Sequence, residues 1–137
     1  MKQKKIVIAI DGDGTCWTHD WPRMGKDIGA APILKKLIKS GHKLMLWTMR
    51  SGKDGNDTLD DAINWFKENE IELWGINENP EQQANKWSTS NKQHANLFVD
   101  DAALGAPLKF DPTFHNRPFI DWEKVDKMLE EMGLYNS

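Results

Sequence analysis

The chain has 137 residues, of which 39% are hydrophobic, and its 18 Lys and Arg against 21 Asp and Glu give a formal net charge of -3. This length suits one domain with a single core, and the near balance of charges, with no long block of either sign, argues against a nucleic-acid or membrane partner. A single cysteine, Cys16, excludes an intramolecular disulfide and a cysteine-based metal cluster. We therefore expect one cytoplasmic domain over residues 1–137, with Cys16 as an inert buried thiol.

The first predicted element is a buried strand, formed by the apolar residues at positions 6–10. This run is too short for a signal peptide or a membrane span. It continues directly into Asp11-Gly12-Asp13-Gly14-Thr15. Residues two apart in an extended segment project to the same side, and glycines let the backbone bend closely around a ligand. The two carboxylates therefore leave the end of a buried strand together.

Strand and helix patterns then alternate along the chain. We predict an α/β fold of three layers, a Rossmann-like parallel sheet with helices on both faces. The predicted segments are a helix over 32–39, a strand over 43–48, a helix over 57–67 whose start is favoured by Asp54, Asp57, Asp60 and Asp61, a strand over 72–76, a polar loop over 77–91, a strand over 96–99 and an amphipathic helix over 122–129.

Polar side chains follow three of these strands where each one ends. In parallel sheets, ligands bind outside the carboxyl ends of the strands. Four carboxylates gathered there repel one another, so we expect a hard cation to neutralise them. Mg²⁺ keeps open positions that a substrate phosphate can fill, which points to a phosphate ester. The residues expected at this edge are Asp11, Asp13, Thr48, Arg50, Ser51, Asp100 and Asp101.

Two acids so close to a phosphate ester also suggest a reaction. One carboxylate can attack phosphorus and form an aspartyl-phosphate, while its neighbour handles the proton of the leaving group. In this scheme Asp13 protonates the leaving oxygen and then deprotonates water.

The pattern resembles the four motifs of the haloacid dehalogenase (HAD) superfamily over roughly residues 5–105. The residues that carry the resemblance are Asp11-Gly12-Asp13-Gly14-Thr15, a strand ending in Thr48, a lysine ahead of the last strand, and Asp100-Asp101. Within the superfamily, Pro22-Arg23, Leu46-Trp47-Thr48-Met49-Arg50 and Leu97-Phe98-Val99-Asp100-Asp101 are similar to a small capless group of phosphatase-like hydrolases from bacteria and phages. The resemblance implies a HAD-like domain without a cap, Mg²⁺ as cofactor and a small phosphate monoester as substrate.

The resemblance also implies residue roles. Asp11 would be the nucleophile and a metal ligand, and Asp13 the acid and base that offers its backbone carbonyl to Mg²⁺. Asp100 would be a further ligand, supported by Asp101 directly or through water. Thr48 would hydrogen-bond the phosphoryl oxygens.

A lysine of the third motif would offset charge on the phosphoryl group. Lys92 is the first choice, with Lys86 and Lys109 in reserve. One departure from the family pattern is Gly12, where a bulky apolar residue is usual; it predicts weaker packing beneath the site.

Substrate contacts are expected from Gly12, Trp17, His19, Arg50 and Ser51. Trp17 and His19 fall in a short flap over 17–23, where they either touch the leaving group or serve as packing and exposed residues. Arg50 and Ser51 are either substrate contacts or solvated surface. The chain has no room for a cap domain, so the bulk of the substrate stays outside, or a second subunit of a homo-oligomer supplies a lid.

Other interpretations of these residues are weaker. An EF-hand fits Asp11 and Asp13 at positions 1 and 3, but it requires glycine at position 6 and an acid at position 12, where the chain has Cys16 and Pro22. A Cys-x5-Arg phosphatase loop is excluded because its arginine would also fall on Pro22. Two alternatives to a phosphatase stay open: a non-catalytic module that binds phosphate or a partner, and a phosphotransferase with an acceptor other than water.

Overall fold

The protein is built on a parallel sheet of four strands, seen in a computed structural model that describes residues 4–52 and 57–136. The strands are β1 (Val7–Ile10), β2 (Lys43–Leu46), β3 (Gly75–Ile76) and β4 (Leu97–Val99), arranged in the order β3-β2-β1-β4. Helices flank the sheet, so the predicted α/β class and the parallel sheet are confirmed. β2 ends two residues earlier than predicted, which leaves Trp47 and Thr48 in the loop that follows it.

The helices are α1 (Ala30–Lys39), α2 (Thr58–Glu68), α3 (Pro80–Asn85) and α4 (Trp122–Glu131). α2 begins as predicted after Asp57, whose side chain accepts the Asp60 N–H at 3.2 Å, whereas Asp54 lies outside the described residues. The prediction of a loop over 77–91 was wrong for Pro80–Asn85, where Asn79 caps α3 and Pro80 occupies its first turn, and it was confirmed for the residues on either side. None of the helices in the described ranges has the length and apolar character that crossing a membrane requires.

The register of the sheet aligns the ends of three strands. Ile10 lies opposite Leu46 on one side and Val99 on the other. One residue further, the Asp11 N–H donates to the Val99 carbonyl at 3.0 Å. Asp11 and Asp100 therefore leave neighbouring strands at the same level. The chain steps outward from β1 to β2 and β3 and then adds β4 on the other side of β1, so this edge is the point where the strand order reverses.

The core beneath this edge contains an unusual amount of aromatic surface. Trp17 has no exposed surface, and its ring lies 5.2 Å from that of Trp65 and 6.3 Å from that of Phe66. Large buried rings of this kind dominate core energetics. Cys16 is fully buried beside them, and burial raises the pKa of its thiol, as expected for an inert cysteine.

The C-terminal segment is tied to the loop that follows β1. Two short strands, β5 (Leu108–Lys109) and β6 (Phe119–Ile120), pair in antiparallel fashion. The Ile120 N–H donates to the Gly14 carbonyl at 3.0 Å, and the Trp122 indole N–H donates to the Thr15 carbonyl at 2.7 Å. Residues more than a hundred positions apart are thereby held against each other at the site.

The Trp122 bond provides a test of this attachment. Trp122→Phe should lower the free energy of unfolding by about 1–3 kcal/mol, because the buried Thr15 carbonyl loses its donor. Urea denaturation measures the change. Trp87→Phe is the matched control, since Trp87 is 53% exposed and should change stability by less than about 0.5 kcal/mol. Equal stabilities of the two variants would contradict the role of the Trp122 bond.

Candidate active site

Three carboxylates form a cluster at the aligned strand ends. Asp11, Asp100 and Asp101 each offer one oxygen, and these oxygens lie within 4.8 Å of one another. The three side chains are half-buried, and their oxygen donors are the type that hard cations prefer. The cluster therefore has the donor atoms for a divalent cation.

The electrostatics of Asp11 also favour a cation. Burial, followed by the nearby charge of Asp100, raises the pKa of Asp11 from 3.8 to about 8. The Thr15 hydroxyl donates to Asp11 Oδ2 at 2.9 Å and opposes this rise. Without a cation, Asp11 therefore holds a proton near neutral pH. A bound cation would replace that proton and return Asp11 to its ionised form.

Asp101 is fixed by the loop after β1 as well as by its own strand. Its Oδ2 lies 2.7 Å from His19 Nε2, and its backbone N–H donates to Thr15 Oγ1 at 3.0 Å. Gly14 makes this approach possible: a Cβ at this position would lie 2.1 Å from His19 Nε2 and 2.4 Å from Asp101 Oδ2. Its φ of +81° also favours glycine. Any larger residue than glycine at position 14 would therefore clash with His19 and Asp101.

Asp13 occupies a different environment from Asp11. Arg50 binds its carboxylate through two hydrogen bonds, Nε to Oδ2 at 2.8 Å and Nη2 to Oδ1 at 2.7 Å, and Trp17 Nε1 donates to Oδ1 at 2.9 Å. Burial by itself would raise the pKa of Asp13, but these hydrogen bonds outweigh burial and hold the pKa below its usual value. An ionised Asp13 can accept a proton from water. Its expected donation of a proton to the leaving group stays a prediction, and it requires Asp13 to gain a proton first.

Two predicted substrate contacts are internal residues instead. Arg50 is 3% exposed, and besides Asp13 it donates to the backbone carbonyls of Pro22, Arg23 and Thr58. Trp17 is fully buried. Of the two alternatives for Trp17, packing is therefore the one observed. Arg50 is not solvated surface, and its guanidinium binds groups of the protein.

The Trp17 ring also explains Gly12. A Cβ at Gly12 would lie 2.8 Å from Trp17 Cζ2, so the indole fills the space that a bulky residue would take. The expectation of weak packing beneath the site is wrong for this reason.

The predicted lysine lies away from the carboxylate cluster. Lys92 precedes β4, at the opposite end of the strand from Asp100, and lines a separate cavity with Trp87 and His94. Neither Lys86 nor Lys109 is among the described residues that line the cleft at the cluster, and the same is true of Ser51. The predictions for Lys92 and Ser51 are therefore not supported.

The cleft at the cluster has a volume of about 560 Å³, which suits a small molecule. Asp11, Asp13, His19, Thr48, Asp100 and Asp101 line it as predicted. Five further residues line the cleft, and the two of them with polar or charged side chains that could bind a phosphate, Asn77 and Arg117, were missed. Asn77 follows β3, and its Oδ1 accepts the Thr48 N–H at 2.8 Å, so its place after a strand end was the available signal. Arg117 reaches the cleft because Ile120 is bonded to Gly14, a contact that no local pattern indicates.

Comparison with known proteins gives one structural relative. No family model and no curated protein matches the chain. A solved structure described as that of a conserved protein from Bacteroides thetaiotaomicron is 32% identical in sequence, with a TM-score of 0.73. The similarity covers 94% of this chain and 93% of the other one, so it spans nearly the whole of both.

The raised pKa of Asp11 predicts how pH and metal affect stability. From pH about 4 to about 8 the folded carboxyl keeps a proton that the unfolded chain releases, so the free energy of unfolding of the metal-free protein falls as pH rises. Mg²⁺ at about 100 times its Kd should restore about 2.7 kcal/mol, with a larger rise in midpoint temperature at pH 8 than at pH 5. Thermal unfolding with chelator and with Mg²⁺ measures both effects.

Asp11→Asn is the control for this experiment because it has no group that titrates at position 11. Its stability should depend less on pH, and Mg²⁺ should stabilise it less. The same pH dependence in the wild type and in Asp11→Asn would contradict the environment assigned to Asp11.

Proposed function

Because this chain belongs to the same family as the conserved protein of Bacteroides thetaiotaomicron, whose description includes no activity, we propose its function from the site. The chain is a Mg²⁺-dependent phosphatase of the HAD type, which hydrolyses a phosphate monoester through an aspartyl-phosphate. The observation that carries this proposal is the carboxylate cluster of Asp11, Asp100 and Asp101 within a cleft that Thr48 also lines.

The reaction divides into two displacements at phosphorus. An oxygen of Asp11 attacks phosphorus and forms an acyl phosphate, while the bond between phosphorus and the ester oxygen breaks and that oxygen, taking a proton from solvent, leaves as the alcohol. Water then attacks the same phosphorus, releasing inorganic phosphate and regenerating Asp11. The ionised Asp13 suits the role of general base for that water, because Arg50 and Trp17 hold its carboxylate in place.

The remaining groups of the cleft stabilise charge. Mg²⁺ held by Asp11, Asp100 and Asp101 would supply positive charge to the phosphoryl oxygens and allow Asp11 to ionise. The Thr48 hydroxyl and the Asn77 amide line the same cleft and can donate hydrogen bonds to those oxygens. Arg117 takes the role first expected of Lys92, because among the described residues that line the cleft it is the one arginine or lysine.

Removal of the nucleophile tests the proposal. Asp11→Asn should lower the hydrolysis of an aryl phosphate by at least about 1,000-fold, and chelation of Mg²⁺ should abolish it in the wild type. Phosphate release and consumption of the ester are both measured, with far-UV circular dichroism as the check on folding. Activity that survives in the variant or in chelator would refute the proposal. Consumption of the ester without matching phosphate release would indicate a phosphotransferase.

Two variants test which cationic side chain, Arg117 or Lys92, stabilises the phosphoryl group. Arg117→Ala should reduce kcat/KM for the aryl phosphate by about 100-fold, as expected when a charge-stabilising donor is lost. Lys92→Ala should change it less than about twofold, since Lys92 lines a different cavity. The reverse result would return the role to Lys92.

A further inference from the structure

A second cavity opens beside the cleft. It has a volume of about 620 Å³ and is lined by His19, Asp20, Trp21, His115, Asn116 and Arg117; we call it the side pocket. His19 and Arg117 line both the cleft and the side pocket, so the two share a wall. A ligand whose phosphate lies at the carboxylate cluster can therefore extend past these two residues into the side pocket.

The side pocket offers an aromatic surface surrounded by polar groups. Trp21 is 64% exposed, although the neighbouring Trp17 is fully buried. The Asn116 amide and the His115 ring also line the side pocket. The His115 Nε2 atom is buried, so it adds no accessible polar group to this pocket.

The charged side chains of the side pocket, Asp20 and Arg117, each have another partner or role. We therefore do not expect the side pocket to recognise a second strongly anionic group on the ligand. Asp20 is paired with Arg23, with hydrogen bonds of 3.1 and 3.2 Å. Arg117 also lines the cleft, where under the proposed function its charge would serve the phosphate of the ligand. What remains is the indole face of Trp21 and neutral donors and acceptors, a combination that suits an uncharged ring with polar edges.

We propose that the side pocket is the leaving-group subsite, and that the substrate is a phosphate ester of an alcohol carrying a polar ring that packs on Trp21. This inference rests on the phosphatase activity proposed above. Nucleoside 5′-phosphates and hexose 6-phosphates share the required chemistry, since a base or a pyranose ring packs on an indole face and both carry hydrogen-bonding edges. Arg117, on the shared wall, would bind the phosphate while Trp21 contacts the ring.

Three esters of primary alcohols separate ring recognition from chemical reactivity. Adenosine 5′-monophosphate, glucose 6-phosphate and glycerol 3-phosphate have similar leaving groups, but only the first two carry rings. With Mg²⁺ and wild-type protein, kcat/KM for at least one ring ester should exceed that for glycerol 3-phosphate by about 10-fold. Preference for the nucleotide or for the hexose phosphate identifies the ring.

Two tryptophan variants test whether the side pocket causes the preference for ring esters. Trp21→Ala should bring the ratio of ring ester to glycerol 3-phosphate close to one. Trp87→Ala should keep the wild-type ratio, because Trp87 is similarly exposed but lines a different cavity. Absence of ring preference in the wild type, or an equal loss for all three esters in Trp21→Ala, would overturn the inference.

The two proposals can fail separately. Hydrolysis of an aryl phosphate that depends on Asp11 and Mg²⁺, without preference for ring esters, would refute the subsite alone. Where no ester is hydrolysed, calorimetric binding of the same three esters to the wild type and to Trp21→Ala replaces kinetics. A ring ester that binds about 10-fold more tightly than glycerol 3-phosphate, and loses this advantage in Trp21→Ala, would support the subsite even then; equal affinities would overturn it.

Discussion

Repulsion among three half-buried carboxylates is the constraint on which this site depends. Asp11 and Asp100 leave adjacent strands at the same level because Ile10 and Val99 are paired in the sheet, and Asp101 follows directly. Among the described residues, the side chains close to this cluster are the Thr15 hydroxyl, shared by Asp11 and Asp101, and the His19 ring, while the Ala102 N–H donates to Asp100 Oδ1 at 2.8 Å. A single hydroxyl proton cannot serve Asp11 and Asp101 at once. Repulsion of this kind is relieved by protons or by a cation, so the cation binding proposed above would be coupled to pH.

Two acids separated by one glycine have opposite environments. Asp11 is pushed toward its neutral form by burial and by Asp100, whereas Asp13 is held ionised by Arg50 and Trp17. Separation of this kind assigns different roles to chemically identical groups. Arg50, which holds Asp13 in its ionised form, also donates hydrogen bonds to the carbonyls of Pro22 and Arg23 in the flap over 17–23. The geometry of the site and the conformation of the flap therefore depend on one guanidinium.

The C-terminal segment completes a site whose acids all come from the parallel sheet and its loops. β6 is bonded to Gly14 and Trp122 to Thr15, so the same contacts that hold the segment in place bring Arg117 to the cleft. Arg117 then separates the carboxylate cluster from the side pocket. Under the proposed function, Arg117 of this segment would supply charge near the phosphate and Trp21 of the flap would contact the ring of the leaving group. The nucleophile and the metal ligands would come from residues that follow β1 and β4.

The sequence by itself determined the order of the four strands of the parallel sheet and of the helices α1, α2 and α4. It also determined most of the polar residues of the cleft, because residues that follow parallel strands meet at one edge of the sheet. Asp11, Thr48, Asp100 and Asp101 could be predicted for this reason. Only the tertiary structure decided that Arg50 and Trp17 lie beneath the site and that Arg117, in place of Lys92, reaches it. The positions of these side chains depend on contacts between residues that are far apart in the sequence, which local patterns do not reveal. The missed α3 and the strands β5 and β6 are short, and segments of two to six residues carry too little periodicity to be recognised.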